Sequence, residues 1–294
     1  LEIDGQKILI DCGLTQGAKV IDDVNWNSFL YDPKEIDILF VTHGHVDHLG
    51  RIPKLISEGF RGKIYSTEPT QGLARPMLED TADILSKNTD LNLDKIYTPE
   101  NIKLALSLWQ GFSYREKIKI TENVEVCFLN AGHILGSAMI EFLYNGKKIL
   151  FTGDLGNSPS PLLPDTEKIT DADYLIMESV YGDRNHESRD DRRRLLAEVI
   201  QDNHKRKGTL VIPTFSLERS QELLFELDAL LEDDRIPVMP IFFDSPLAIR
   251  LTDVFKQYKS YFNENAQKAI SPGKYLFDFP GLQNTLKSEE SRMI

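Results

Sequence analysis

Thr42-His43-Gly44-His45-Val46-Asp47-His48 follows directly on the apolar run 36–41 and sets four metal-ligating side chains within six residues. Three of the six histidines in the chain stand in this stretch. Core packing does not account for such density. Neighbouring buried imidazoles and a carboxylate with no cation between them leave polar groups unpaired, at a cost of roughly 1–3 kcal/mol each. A divalent cation removes that penalty. In an extended backbone the side chains at i and i+2 point the same way, so His43 and His45 can clasp one ion while Asp47 and His48 face a second position. A mixed imidazole and carboxylate set suits borderline ions: zinc (Zn2+) first, with manganese (Mn2+) and iron (Fe2+) also compatible.

Three other segments share this design. Ala131-Gly132-His133-Ile134-Leu135-Gly136-Ser137 places a histidine between glycines just past a strand. Leu150-Phe151-Thr152-Gly153-Asp154-Leu155-Gly156 does the same for an aspartate, and Asp11 ends the strand before Cys12-Gly13. Asp154 has two oxygens and can bridge two ions. A lone histidine of this kind is more often an interior hydrogen-bonded residue, and a lone aspartate a turn former. Jointly they put acids and histidines on successive strand ends along what would be one edge of a sheet, where sites on such sheets form.

With 294 residues, 41% of them hydrophobic, the chain can bury a real core in one large or two medium domains. Lysine and arginine number 34 against 46 aspartates and glutamates, a net charge of −12. That balance argues against holding nucleic acid on a broad basic surface, though not against a local site where bound cations offset the charge. Two cysteines are too few for a disulfide framework, and no signal-peptide pattern or membrane-length apolar run is present, so a cytoplasmic setting with no membrane partner is the expectation. The chain opens inside a strand, with Asp4-Gly5 as a hairpin turn, and closes on a charged helical segment without a cap; both ends point to a fragment.

Strands are expected at 36–41, 63–66, 124–129, 138–144, 147–152, 174–178, 209–213 and 237–243. Helices are expected at 51–58, 69–87, 99–111, 187–203, 217–231 and 246–262. Asn145-Gly146 reads as a two-residue hairpin turn, so the first half contains antiparallel pairing. After Glu178 strands and helices alternate, which predicts a parallel sheet. The charged run 183–194 reads as a solvated helix start.

In order, Asp11, the His43 to His48 stretch, His133 and Asp154 resemble the four motifs of the metallo-β-lactamase superfamily. Residues 174–184, ending a strand in Met177-Glu178-Ser179, resemble the acidic motif of its β-CASP branch, and 212–222 and 243–248 are similar to the cassette inserted in that branch. The branch comprises nucleic-acid-processing enzymes such as RNase J and the endonuclease subunit that cleaves pre-mRNA before polyadenylation. The resemblance covers essentially the whole chain. It implies an α/β fold: a metallo-β-lactamase αββα sandwich at 1–182, truncated at its N-terminal strands, followed by part of an α/β β-CASP domain of mainly parallel sheet at 183–294.

The resemblance also implies roles. His43, His45 and His133 would hold one Zn2+, Asp47 and His48 another, and Asp154 both, so that a bridging hydroxide attacks phosphorus in RNA, single-stranded more readily than not, or in DNA. Asp47, Asp154 and Glu178 would be catalytic, Glu178 by orienting a histidine general acid. Asp11 would hold a ligand in place from behind. Arg219 and Ser245 are candidate phosphate contacts, set against an ion-pair arginine and a helix cap. The family carries two further histidines downstream of these motifs. His186 and His204 both read as surface residues rather than replacements, so the second ion is expected to be weakly held and the chain slow on RNA. A small-molecule hydrolase, such as a thioesterase or lactamase, competes with this reading, but needs neither the long spacer between His48 and His133 nor a second domain. A non-catalytic subunit of a processing complex competes too, but would be expected to lose ligands.

Overall fold

Strand β3 (Ile38–Phe40) contains no polar residue, and all three of its side chains are buried, the signature of a strand covered on both faces. A computed structural model of the chain, describing residues 1–15, 22–87, 93–184, 191–270 and 276–294, shows what covers it. Two compact units are present: Leu1–Ser160 with Pro164–Glu178, and Pro161–Leu163 with Ser179–Ile294.

In the first unit β1 (Glu2–Ile3) and β2 (Gln6–Ile10) pair as the expected hairpin across Asp4-Gly5, both at positive φ. Helix α1 (Asp22–Trp26) precedes β3, and α2 (Val46–Leu49) and α3 (Ile52–Ser57) follow it. Next come β4 (Lys63–Thr67), α4 (Glu68–Leu85), α5 (Pro99–Ser107) and β5 (Trp109–Phe112). Helix α4 starts where a hydroxyl can accept an orphan amide: Thr67 Oγ1 takes the Thr70 N–H, and Pro69 fills the first turn. The sheet runs β1-β2-β3-β4-β5, with β2 to β5 mutually parallel.

The second sheet is built from β6 (Ile118–Lys119), β7 (Val124–Asn130), β8 (Ala138–Tyr144), β9 (Lys147–Phe151) and β10 (Tyr174–Ile176). Its order is β10-β9-β8-β7-β6, antiparallel except for the parallel β9–β10 pair. Strand β7 alternates with period two. Val124, Val126 and Phe128 join Ile8, Phe40, Tyr65 and Phe142 in the core between the sheets, whereas Leu129 joins Met139, Leu150 and Ala131 on the opposite face, where Leu155 and Ile169 pack. The sandwich is thus layered helices, sheet, sheet, with an irregular segment rather than a helix packed on the far face among the described residues of this unit.

The helix expected over 99–111 stops at Ser107, and Trp109 to Phe112 become a strand instead. Trp109 is buried with its indole N–H on Ser66 Oγ (2.8 Å), and pairing with β4 outweighs the local helical pattern.

The second unit contains α6 (Arg192–Lys205), α7 (Arg219–Glu232), β11 (Ile241–Phe243), α8 (Pro246–Gln257), α9 (Glu264–Ala269), β12 (Leu282–Asn284) and α10 (Ser288–Ser291). Strands β11 and β12 are parallel, as the alternation predicts. Residues 209–213 do not form the expected strand: Val211 is 79% exposed and no described strand pairs with this segment, so its apolar, β-branched composition has no ladder to join. The opening of the helix expected at 187–203, and His186, lie outside the described residues.

Phe40 is fully buried and meets the rings of Tyr65, Phe128 and Phe142. Phe40→Ala is expected to lower unfolding free energy by about 3–5 kcal/mol, whereas Leu30→Ala, at a fully exposed position, should change it by less than about 0.5 kcal/mol. Urea denaturation of the two variants checks the contrast.

Candidate metal centre

The side chains of the centre sit at strand ends or in the short helix α2 that follows one. Asp11 follows β2 with φ of 59°, a left-handed conformation that aspartate tolerates better than most residues. Its carboxylate accepts the Thr42 amide (2.8 Å), the Thr42 hydroxyl (2.8 Å) and His48 Nδ1–H (2.7 Å). Gly13 lets the chain after Asp11 lie against the backbone of α2: a Cβ there would sit 1.5 Å from the Asp47 carbonyl oxygen. That approach is held by hydrogen bonds from Cys12 N–H to the His48 carbonyl and from Leu14 N–H to the Val46 carbonyl.

His43 and His45 come from the extended link between β3 and α2, and Asp47 and His48 from the first turn of α2. His133 stands in the loop between β7 and β8, where Ser137 Oγ accepts the amides of His133 (2.9 Å) and Ile134 (3.1 Å). Asp154 follows β9. The Leu155 amide donates to Glu178 Oε1 (2.9 Å), so Glu178 steadies the loop that carries Asp154.

His43, His45, His133 and Asp154 offer four ligand atoms that all lie within 4.8 Å of one another. His45 Nδ1 is 3.0 Å from His43 Nε2 and 3.2 Å from His133 Nε2, and Asp154 Oδ2 is 3.8 and 3.7 Å from the same two Nε2 atoms. Bonds of about 2.0–2.1 Å in a tetrahedron separate ligand atoms by about 3.3 Å, so the cluster has the dimensions of a four-coordinate site. The other oxygen, Asp154 Oδ1, is 3.3 Å from His48 Nε2, which is 4.0 Å from Asp47 Oδ2. The distances gather His43, His45, His133 and Asp154 into one four-ligand group, and set His48, with Asp47 farther off, beside the second Asp154 oxygen.

Electrostatics separate the two groups. Burial, reinforced by His48, His45 and His133, keeps the His43 pKa well below the usual imidazole range, so its ring is neutral and can ligate. For His48 burial acts in the same sense, but hydrogen bonds to Asp11 and Asp154 outweigh it and raise the pKa to about 10. For Asp154 burial favours the neutral acid, and the hydrogen bond and charge of His48 prevail to lower its pKa. Cys12, next to Asp11, is a buried thiol pushed up to about 12 by its burial, and so offers no thiolate.

The candidate phosphate contacts are engaged locally in the second unit. Arg219 Nη1 pairs with Glu222 (2.8 Å), and Ser245 Oγ caps α8 by accepting the Ala248 amide (3.3 Å). His204 lies in the last turn of α6. Thr42 heads the stretch that decides the fold, yet nothing in the spacing assigned it a role; its hydroxyl lies 3.0 Å from His43 Nδ1 and hydrogen-bonds Asp11.

Two facing sheets with histidines and aspartates gathered at their strand ends define a metal-binding α/β sandwich. The family model of the metallo-β-lactamase superfamily domain matches residues 1–171 and that of the Beta-Casp domain residues 220–294. The chain belongs to the metallo-β-lactamase superfamily, in its β-CASP branch. It is 34% identical over 290 residues to a ribonuclease of Thermus thermophilus, an alignment that spans 99% of this chain and 64% of the relative. An RNase J-like protein of Methanocaldococcus jannaschii is 35% identical over 275 residues (92% of this chain, 60% of the relative). The cleavage and polyadenylation specificity factor 73 of Drosophila melanogaster is 32% identical over 274 residues (92% and 39%). The chain thus spans less than two thirds of the length of each.

Zinc titration followed by elemental analysis is expected to show one tight equivalent and a second, weaker one. Asp47→Ala should lose only the weaker equivalent, whereas Asp154→Ala should weaken both. Because His48 holds a proton at neutral pH without the ion, the weaker step should release protons and lose affinity as pH falls. Calorimetry in two buffers of different ionisation enthalpy reads that release directly.

Proposed function

We propose that this chain carries the hydrolytic centre of a zinc-dependent phosphodiesterase that acts on RNA, single-stranded in preference to duplex. The observation that supports it most is the division of Asp154, one oxygen facing the imidazoles of His43 and His133 and the other facing His48. Two divalent ions held by such a set activate water as the nucleophile and stabilise the attacking and leaving oxygens of an in-line displacement.

In this reading His43, His45 and His133 hold one ion, Asp47 and His48 the other, and Asp154 both. Asp11 fixes His48 by accepting from its Nδ1. Glu178 steadies the loop of Asp154, and by the family's pattern would orient a histidine general acid that the family carries downstream of these motifs. Arg219, whose guanidinium has five donors of which one meets Glu222, and Ser245 contact phosphate. The ribonuclease names of the relatives support RNA as substrate over DNA. Both cysteines are free thiols, which fits a reducing, cytoplasmic setting, and no described helix is long and apolar enough to cross a membrane.

The test is single-turnover hydrolysis, with the chain in excess over labelled single-stranded RNA, beside a chromogenic thioester and a β-lactam. RNA cleavage that requires zinc or manganese, stops with chelator and is lost in Asp154→Ala is expected, with no turnover of the small esters or lactams. Thioester or lactam hydrolysis without RNA cleavage would replace this reading with that of a small-molecule hydrolase. Chelation should also lower the thermal midpoint, because ligands drawn from three separate parts of the sequence repel or lose hydration when no cation joins them. An unchanged midpoint, with metal removal confirmed, would contradict that coupling.

A further inference from the structure

Thr42 is 1% exposed, and its single hydroxyl stands between the two ligand groups. Thr42 Oγ1 is 2.8 Å from Asp11 Oδ2, 3.0 Å from His43 Nδ1 and 3.4 Å from His48 Nδ1. Its backbone is tied in as well: the amide donates to Asp11 Oδ1 and the carbonyl accepts the Ala138 amide (2.8 Å) from the facing sheet. Its side chain lies against Gly153, the residue before Asp154, where an added Cβ would come within 2.7 Å of the Thr42 Cβ.

The directions of these hydrogen bonds follow from counting protons. A carboxylate accepts only, and a hydroxyl has one proton to donate. The 2.8 Å contact with Asp11 therefore takes the Thr42 proton, since two oxygens with no hydrogen between them would repel at that distance. The contact with His43 can then be made only if His43 Nδ1 carries the hydrogen and donates it to Thr42. That leaves the lone pair of His43 on Nε2, the atom that faces His45, His133 and Asp154. Asp11 Oδ2 also accepts from His48 Nδ1, which directs His48 Nε2 toward Asp154 Oδ1. One chain of hydrogen bonds, from His43 through Thr42 to Asp11 and back to His48, orients a ring in each group.

We infer that Thr42 is a positioning residue that selects the metal-binding nitrogen of His43 and, through Asp11, that of His48, so that one hydroxyl sets both halves of the centre. This rests on the metal-binding reading of the cluster, and the two can fail separately. Partners of this kind that orient a ligating histidine typically change metal affinity by about 10–100-fold when removed.

The test pairs Thr42→Val, which keeps the shape and loses the hydroxyl, with Thr42→Ser, which keeps the hydroxyl and loses the methyl. Zinc affinity measured by competition with a chromophoric chelator should fall about 10–100-fold in Thr42→Val, for both equivalents, and remain within a few-fold of the parent in Thr42→Ser. Nitrogen-15 NMR of the histidine rings in the ion-free parent chain should show His43 as the Nδ1–H tautomer, and in Thr42→Val a mixture of tautomers. An Nε2–H tautomer of His43 in the parent overturns the inference whether or not Thr42→Val folds, as does unchanged zinc affinity in a folded Thr42→Val. Parent-like tautomers with no zinc binding by the parent would instead remove the metal reading on which it rests.

Discussion

The interleaving of aromatic rings between the two sheets is the contact on which the centre depends. Phe40 closes β3, two residues before Thr42, and meets Phe142 at 5.4 Å and Phe128 at 5.9 Å across the sandwich. Phe128 lies on the strand that leads to His133, and Phe142 on a strand paired to β9, which leads to Asp154. The ligands from the first sheet and those from the second are thereby held at a separation set by a close-packed interior, which gives way little to small perturbations. At the rim, the hydrogen bond from the Ala138 amide to the Thr42 carbonyl joins the sheets again beside the ligand loops.

Within that frame the folded chain concentrates groups that would not gather by themselves. Imidazole nitrogens of His43 and His133, 3.0 and 3.2 Å from that of His45, and one aspartate, Asp154, carry lone pairs aimed at a common region. The arrangement is tolerable because the groups are differently loaded. His43 is kept neutral by burial, while His48, gripped by Asp11 and Asp154, retains a proton that a cation would replace. A cation beside His48 and that proton would answer the same need, to offset Asp154, and so would compete. The acidic balance of the whole chain works in the same direction by favouring cations at the site.

The second unit follows a different logic. Two of its helices begin with side-chain caps, Ser245 on α8 and Asn263 on α9, and Arg219 and Arg192 pair with Glu222. Such pairs are local and partly exposed, worth little individually to stability. At Arg219 the observed partner is the Glu222 carboxylate, a pair of this local kind.

The residues of the centre were legible in the chain before any fold was known. Four ligands within six residues, and glycines flanking His133 and Asp154, mark chemistry because residue identity and short-range spacing act over distances the backbone itself dictates. The hairpin at Asp4-Gly5 and the cap of α8 at Ser245 were readable for the same reason. Tertiary structure alone decided the rest. It turned Trp109 to Phe112 from the tail of a helix into a strand, because a neighbour was there to pair with, and left 209–213 with no partner strand among the described residues. It divided the oxygens of Asp154 between two groups, gave Glu178 the Leu155 amide, and placed the Thr42 hydroxyl between His43 and Asp11. Those outcomes depend on hydrogen-bond partners up to tens of residues apart in sequence, and the direction of a hydrogen bond is settled only when both of its ends are in place.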